Sequence, residues 1–173
     1  MNLYLIRHAD ALPLGAQGVT QDEDRPLSDE GHKQCRTLAH VLANKGVRLD
    51  KIVSSPLLRT RETTQGIIDS LPDPKPEMVL ADELAPGGKR RKLARFLRRL
   101  AGNDIALVGH MPDLGEFTAW LIGGKKAQIN LAKSGVAYID CDKEADKGTG
   151  LLLWLISPNW YPDEALLSTT VTK

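Results

Sequence analysis

The sequence predicts an α/β fold: a three-layer α/β/α sandwich with a mainly parallel central sheet. Two observations carry this reading. Short, continuously apolar runs alternate with longer segments whose apolar residues recur at helical spacing, the pattern of βαβ units. The last two apolar runs instead flank a short polar turn containing glycine, and read as an antiparallel addition to the sheet. At 173 residues and 19.0 kDa the chain is one domain's worth. We expect that domain over 1–161, followed by a C-terminal tail over 162–173.

Residues 3–6 (Leu-Tyr-Leu-Ile) form the first strand, apolar on both faces. Residues 10–27 hold Pro13, Gly15, Gly18, three consecutive acids from Asp22 and Pro26, and read as a long loop. Loops of this length are often functional. Ser28 is placed to cap a helix, with Asp29 and Glu30 in its first turn, where carboxylates suit the helix dipole. Cys35, Leu38, Ala39 and Leu42 make its apolar stripe, and Gly46 ends it. A strand over 51–54 follows. Pro56 stands where a helix running to about residue 70 can begin. Residues 78–80 read as a strand, 84–88 as a loop, 89–100 as a helix and 105–108 as a fourth buried strand. Pro112 opens a helix to about residue 122, which Gly123 and Gly124 close. Strands over 136–141 and 151–156 complete the pattern. Trp154 and Trp160 are expected to pack against the sheet.

Composition narrows the function classes. Hydrophobic residues at 42% and charged residues at 26% are those of a globular chain, not a disordered one. With 23 basic against 22 acidic residues the net charge is +1, which argues against a general nucleic-acid binder. Cys35 and Cys141 are far apart and no CxxC occurs, so a zinc knuckle, a thioredoxin-like motif and a disulfide framework are excluded. No apolar window reaches the roughly 18 residues of a membrane span. The first apolar run, stopped by Arg7 and His8, is too short for a signal-peptide core. A cytoplasmic protein without membrane contact is expected.

In open α/β sheets ligands bind beyond the carboxyl ends of the strands. Arg7 and His8 follow the first strand, Gly109 and His110 the fourth, and Ser54-Ser55-Pro56 the second, leading to Arg59. Two histidines and two arginines should therefore meet at one sheet edge. Guanidiniums present rigid charged forks suited to phosphate oxygens. A neutral imidazole has a lone pair that can attack phosphorus. Neighbouring cations disfavour its protonated form and oppose a divalent metal. No metal and no organic cofactor is expected.

These residues stand in segments that resemble the histidine phosphatase superfamily, the phosphoglycerate mutase-like group. Leu5-Ile6-Arg7-His8-Ala9-Asp10 resembles its RHG/RHA signature, and Arg25-Pro26-Leu27-Ser28-Asp29-Glu30-Gly31 its "R-P-L-[ST]-x-x-G" segment. Ser54-Ser55-Pro56-Leu57-Leu58-Arg59-Thr60-Arg61-Glu62-Thr63 is similar to "S-S-P-x-x-R-x-x-x-T", and Val108-Gly109-His110-Met111-Pro112 to the second-histidine segment. Within the superfamily the chain most resembles SixA-type phosphohistidine phosphatases. It is short, and Glu83-Leu84-Ala85-Pro86-Gly87-Gly88 looks like their "E-L-x-P-x-G" stretch.

The resemblance implies that His8 is a nucleophile forming a covalent phosphohistidine intermediate. Arg7, Arg59 and His110 would bind the phosphoryl oxygens, with Arg59 preferred over nearby Arg61, and Arg25 would also face the phosphate. Mutase-like relatives carry an acid in an "L-x-E" element where this chain has Leu84-Ala85-Pro86. An ester needs such an acid to protonate its leaving alkoxide, whereas a phosphohistidine leaves as imidazole. Glu83 and Asp82 are the candidate acids here, with Asp10 a third. The implied function is dephosphorylation of phosphohistidine on a protein such as a phosphorelay domain. The alternatives are a small-molecule phosphomonoesterase or mutase, and a non-catalytic phosphate-binding module.

Seven of the eleven residues 89–99 are Lys or Arg. They read either as the solvated face of an amphipathic helix or as a docking surface for an acidic partner. Nucleic acid fits poorly, because no aromatic residues interleave the charges.

Overall fold

In the computed structural model, which describes residues 1–124 and 126–161, every apolar run becomes a strand of one sheet. The strands are β1 (Asn2–Arg7), β2 (Lys51–Ser54), β3 (Glu77–Leu80), β4 (Asp104–Gly109), β5 (Val136–Cys141) and β6 (Gly150–Ile156). Their order is β3-β2-β4-β1-β5-β6. β1, β4, β2 and β3 are parallel neighbours in turn. β5 pairs antiparallel with β1, and β6 antiparallel with β5, as the flanked polar turn predicts.

The helices are α1 (Asp29–Asn44), α2 (Leu58–Ser70), α3 (Arg90–Leu97) and α4 (Asp113–Leu121). Side chains alternate across a strand, so each parallel strand feeds two layers. From β1, Leu3 and Leu5 meet Leu93 and Leu97 of α3 and Leu114, Phe117 and Leu121 of α4. Tyr4 and Ile6 meet Cys35, Leu38 and Leu42 of α1 and Ile67 of α2. The chain steps from β1 to β2 to β3 in one direction, then returns to β4 in the other. Right-handed crossovers put α1 and α2 on one face and α3 on the opposite one. This reversal leaves β1 and β4 side by side, which is the geometric origin of the site described below.

Local chemistry sets the helix ends. The Ser28 hydroxyl accepts from the Gly31 N–H at 3.1 Å, capping α1 as expected. Gly46, at φ +74°, takes the left-handed turn after the helix. α2 starts two residues beyond Pro56. α3 stops at Leu97 rather than residue 100, because the N–H groups of Arg99 and Leu100 bond the carbonyls of Phe96 and Leu97 in a tighter turn. Trp154 packs against the rings of Tyr4 and Tyr138. Trp160 does not pack as expected: it is 80% exposed, beyond the last strand on a 3-10 turn (Pro158–Trp160). Among the described residues no helix is long and apolar enough to cross a membrane. The tail expected over 162–173 lies outside the described residues.

Candidate active site

The site begins with strand register. Val108 lies opposite both Ile6 and Ser54, so β1, β4 and β2 end in a row. The ladder continues one step further: the His8 N–H bonds the Gly109 carbonyl and the Ser55 N–H bonds the Val108 carbonyl, each at 3.0 Å. His8, His110 and Ser55 are thereby tethered by backbone at one edge. The two imidazoles are 5.3 Å apart between ring centres and are 8% and 4% exposed.

Their hydrogen bonds define the tautomers. His8 Nδ1 lies 2.8 Å from the Ala9 carbonyl, which can only accept. Nδ1 therefore carries the proton, and the lone pair is on Nε2. His110 Nδ1 lies 3.4 Å from Arg59 Nη2, which can only donate. His110 Nε2 therefore holds its proton and donates to Ser55 Oγ at 2.9 Å. Burial lowers the His8 pKa to about 4; Arg59, Arg7 and Lys133 add to this, while the Ala9 bond opposes it. Burial also lowers His110, to about 3, with Arg59 and His8 adding to the effect. Both rings are neutral at neutral pH.

Two guanidiniums surround them. Arg59, on the first turn of α2, is buried, whereas Arg61 is exposed. Arg7 Nη1 donates to the Leu131 carbonyl at 2.9 Å. The buried Nε atoms of Arg7 and Arg59 have no hydrogen-bond partner among the described residues. Orphaned buried donors of this kind suit an anionic ligand.

Asp22 is the residue that sequence reasoning missed. Arg59 donates through Nη1 to its carbonyl at 2.6 Å and through Nη2 to Oδ2 at 3.0 Å. Arg25 donates through Nη1 to Oδ1 of the same carboxylate at 2.9 Å, and through Nε to the Leu12 carbonyl at 2.6 Å. The 10–27 loop is thus folded over the site by an internal anion held between two arginines. Arg25 reaches this group through Asp22. The only sequence signal is the three-residue spacing of Asp22 and Arg25. Lys133 was also missed, because it lies in no motif. It donates to Asp10 Oδ1 at 2.6 Å and adds positive field at His8.

The candidate acids separate. Burial alone would raise the Asp10 pKa, but hydrogen bonds from Lys133 and Ser28 outweigh it and hold the carboxyl ionised. Asp22 is lowered by the Arg25 hydrogen bond and by Arg59. Neither serves as a proton donor at neutral pH. Asp82 is exposed and does not line the groove next to the site. Glu83 does line it, with His110, in a cavity of about 970 Å³ between α3 and α4. Among the described residues no three His, Cys, Asp or Glu side chains are placed to hold a metal ion.

The chain's relatives can be set beside this geometry. A profile of the histidine phosphatase superfamily (branch 1) matches residues 3–85. An uncharacterized protein of Picosynechococcus sp. is 33% identical over 171 residues, covering 92% of this chain and 98% of the relative. Phosphohistidine phosphatase SixA of Escherichia coli is 29% identical over 161 residues, covering 91% and 94%. A solved structure of the protein histidine phosphatase SixA with tungstate superposes with a TM-score of 0.80 at 25% identity, covering 92% of this chain and 98% of that one.

Proposed function

The chain belongs to the histidine phosphatase superfamily, and we propose that it removes the phosphoryl group from phosphohistidine on a protein, through a covalent intermediate on His8. One observation carries this reading: His8 presents an unprotonated Nε2 among Arg7, Arg59 and His110, while Asp10 and Asp22 are held ionised. Such a site has a nucleophile and cations but lacks a proton donor among these two acids. A phosphohistidine whose ring is already protonated on its second nitrogen needs none.

In the first half-reaction His8 Nε2 forms a bond to phosphorus as the substrate's N–P bond breaks. A substrate ring protonated on its second nitrogen departs as neutral imidazole and keeps that proton. Arg7, Arg59 and His110 take the charge spread over the phosphoryl oxygens. In the second half-reaction water adds to phosphorus and the bond to His8 Nε2 breaks. The Ala9 carbonyl holds the Nδ1 proton through both halves, so His8 departs as neutral imidazole. The water's surplus proton leaves with phosphate or solvent.

A second reading, a small-molecule phosphomonoesterase of the same superfamily, has one observation in its favour: Glu83 lines the groove beside His110. Phosphate release from a phosphohistidine-bearing protein domain and from an aryl phosphate, at equal concentrations, separates the two. The proposal expects faster release from the protein. Much faster release from the ester, lost in Glu83→Gln, would establish the second reading.

A further inference from the structure

The groove that starts at His110 is walled on one side by the basic stretch of α3. Its cations are Lys89, Arg90, Arg91, Lys92 and Arg95, with Lys147 from the turn before β6. On the α4 wall two carboxylates are already engaged. Asp113 accepts from the Gly87 N–H at 3.0 Å, and Glu116 lies 3.5 Å from Arg90. Lys89, Arg91, Lys92 and Arg95 have no carboxylate partner among the described residues. Arg98, just past the end of α3 and outside the groove, differs: it pairs with Glu144 at 3.5 Å and Asp146 at 2.8 Å. Among the described residues, Lys89, Arg91, Lys92 and Arg95 thus face the groove without a carboxylate partner, whereas Arg90 and Arg98 each have one.

This concentration stands against the rest of the chain. Seven of the 23 lysines and arginines fall within residues 89–99, which contain no acid; the other 16 face all 22 carboxylates, so the remainder is net negative by six. A general requirement for solubility does not put the surplus on one wall of one groove.

We propose that this groove seats an acidic segment flanking the phosphohistidine of the protein substrate. The inference rests on the phosphohistidine reading above and names the chemistry of the substrate's surroundings. A phosphorylated side chain that reaches His8 brings its own backbone to the mouth of the site, so neighbouring residues must lie along the rim. Carboxylates there gain attraction from α3, whereas a basic flank is repelled. Nucleic acid is the weaker occupant, because no aromatic rings interleave these cations to stack bases.

The test uses three chemically phosphorylated substrates: a histidine peptide flanked by Glu, the same peptide flanked by Gln, and free phosphohistidine. The expected result is a kcat/KM roughly tenfold higher for the Glu peptide than for the Gln peptide at low salt, shrinking at high salt. The combination of Arg91→Glu, Lys92→Glu and Arg95→Glu removes that preference through KM, whereas Arg91→Lys with Arg95→Lys retains it. All variants turn over free phosphohistidine at the same rate. Equal handling of the two peptides by the unsubstituted chain overturns the proposal. So does stronger inhibition by a mixed-sequence oligonucleotide than by the unphosphorylated Glu peptide. Failure of the phosphohistidine reading looks different: no release from any of the three, with aryl phosphate still cleaved. In that case binding of a fluorescent Glu peptide decides the groove. Binding lost in the triple reversal sustains it, and binding unaffected by the reversal refutes it.

Discussion

His110 and Arg91 line the same groove and are held by opposite means. His110 is buried at the end of β4, with each ring nitrogen in a hydrogen bond, to Arg59 and to Ser55. Arg91 stands exposed on α3 with no carboxylate partner among the described residues. The floor of the site is determined by strand register and desolvation, so any change there disturbs several groups together. The rim is determined by charge alone, so it can change without moving the floor. Under the two proposals above, chemistry and recognition are separable in this chain.

The sharpest way to break that separation is at the floor. His8→Ala should lower kcat by roughly 10⁴-fold or more, since the proposed mechanism gives His8 the nucleophile's role. The thermal midpoint should stay close to that of the unsubstituted chain. Near-normal turnover would mean that the floor does not carry the chemistry. Arg59→Lys should lower kcat by roughly 10²–10³-fold, because an ammonium keeps the charge but loses the fork. Arg61→Lys, at an exposed position, should leave kcat unchanged, and an equal loss in both variants would erase the assigned roles.

Acid should weaken the floor and not the rim. His8 and His110 sit at about 4 and about 3, below the ordinary value of about 6.5 expected in the unfolded chain. Between those values the unfolded chain binds more protons, so stability rises with pH across the window and is lost as pH falls from about 6.5 toward 4. The loss should be on the order of 2–3 kcal/mol per histidine, read as a falling urea midpoint. His8→Ala should flatten the slope by about half. The smallest effect concerns the loop. Asp22→Asn removes the carboxylate charge that occupies Arg59 and Arg25, so inorganic phosphate should bind roughly fivefold more tightly, the worth of about 1 kcal/mol of ion pairing. Weaker phosphate binding in this variant would show that Asp22 assists the anion instead of competing with it.

The parts legible in the sequence are those where a backbone constraint demands one residue. A Cβ on Gly31 would meet the Asp10 carbonyl oxygen at 2.0 Å, so the "R-P-L-S-x-x-G" spacing records how closely α1 passes the end of the first motif. Thr63 accepts from the Ala9 N–H at 3.0 Å and bonds back to the Arg59 carbonyl, tying the 54–63 segment to the first motif. Glu62 accepts from the Leu27 N–H at 2.6 Å. Such contacts leave fixed spacings behind. The Asp22 clasp does not, because it depends on the path of an aperiodic loop. Lys133 reaches Asp10 across 123 residues, and no local pattern signals that pairing. Apolar character alone placed Trp154 correctly against the sheet and Trp160 incorrectly, since the latter lies past the last strand, 80% exposed among the described residues.

The central claim is that His8 carries the phosphoryl group. The direct measurement is to mix the chain with a phosphohistidine substrate, quench within one turnover under alkaline conditions, and map the modified peptide by mass spectrometry. The account predicts one phosphoryl group on the peptide containing His8, absent in His8→Ala. A phosphoryl group on His110, or turnover with no enzyme-bound phosphoryl at any time, would contradict it.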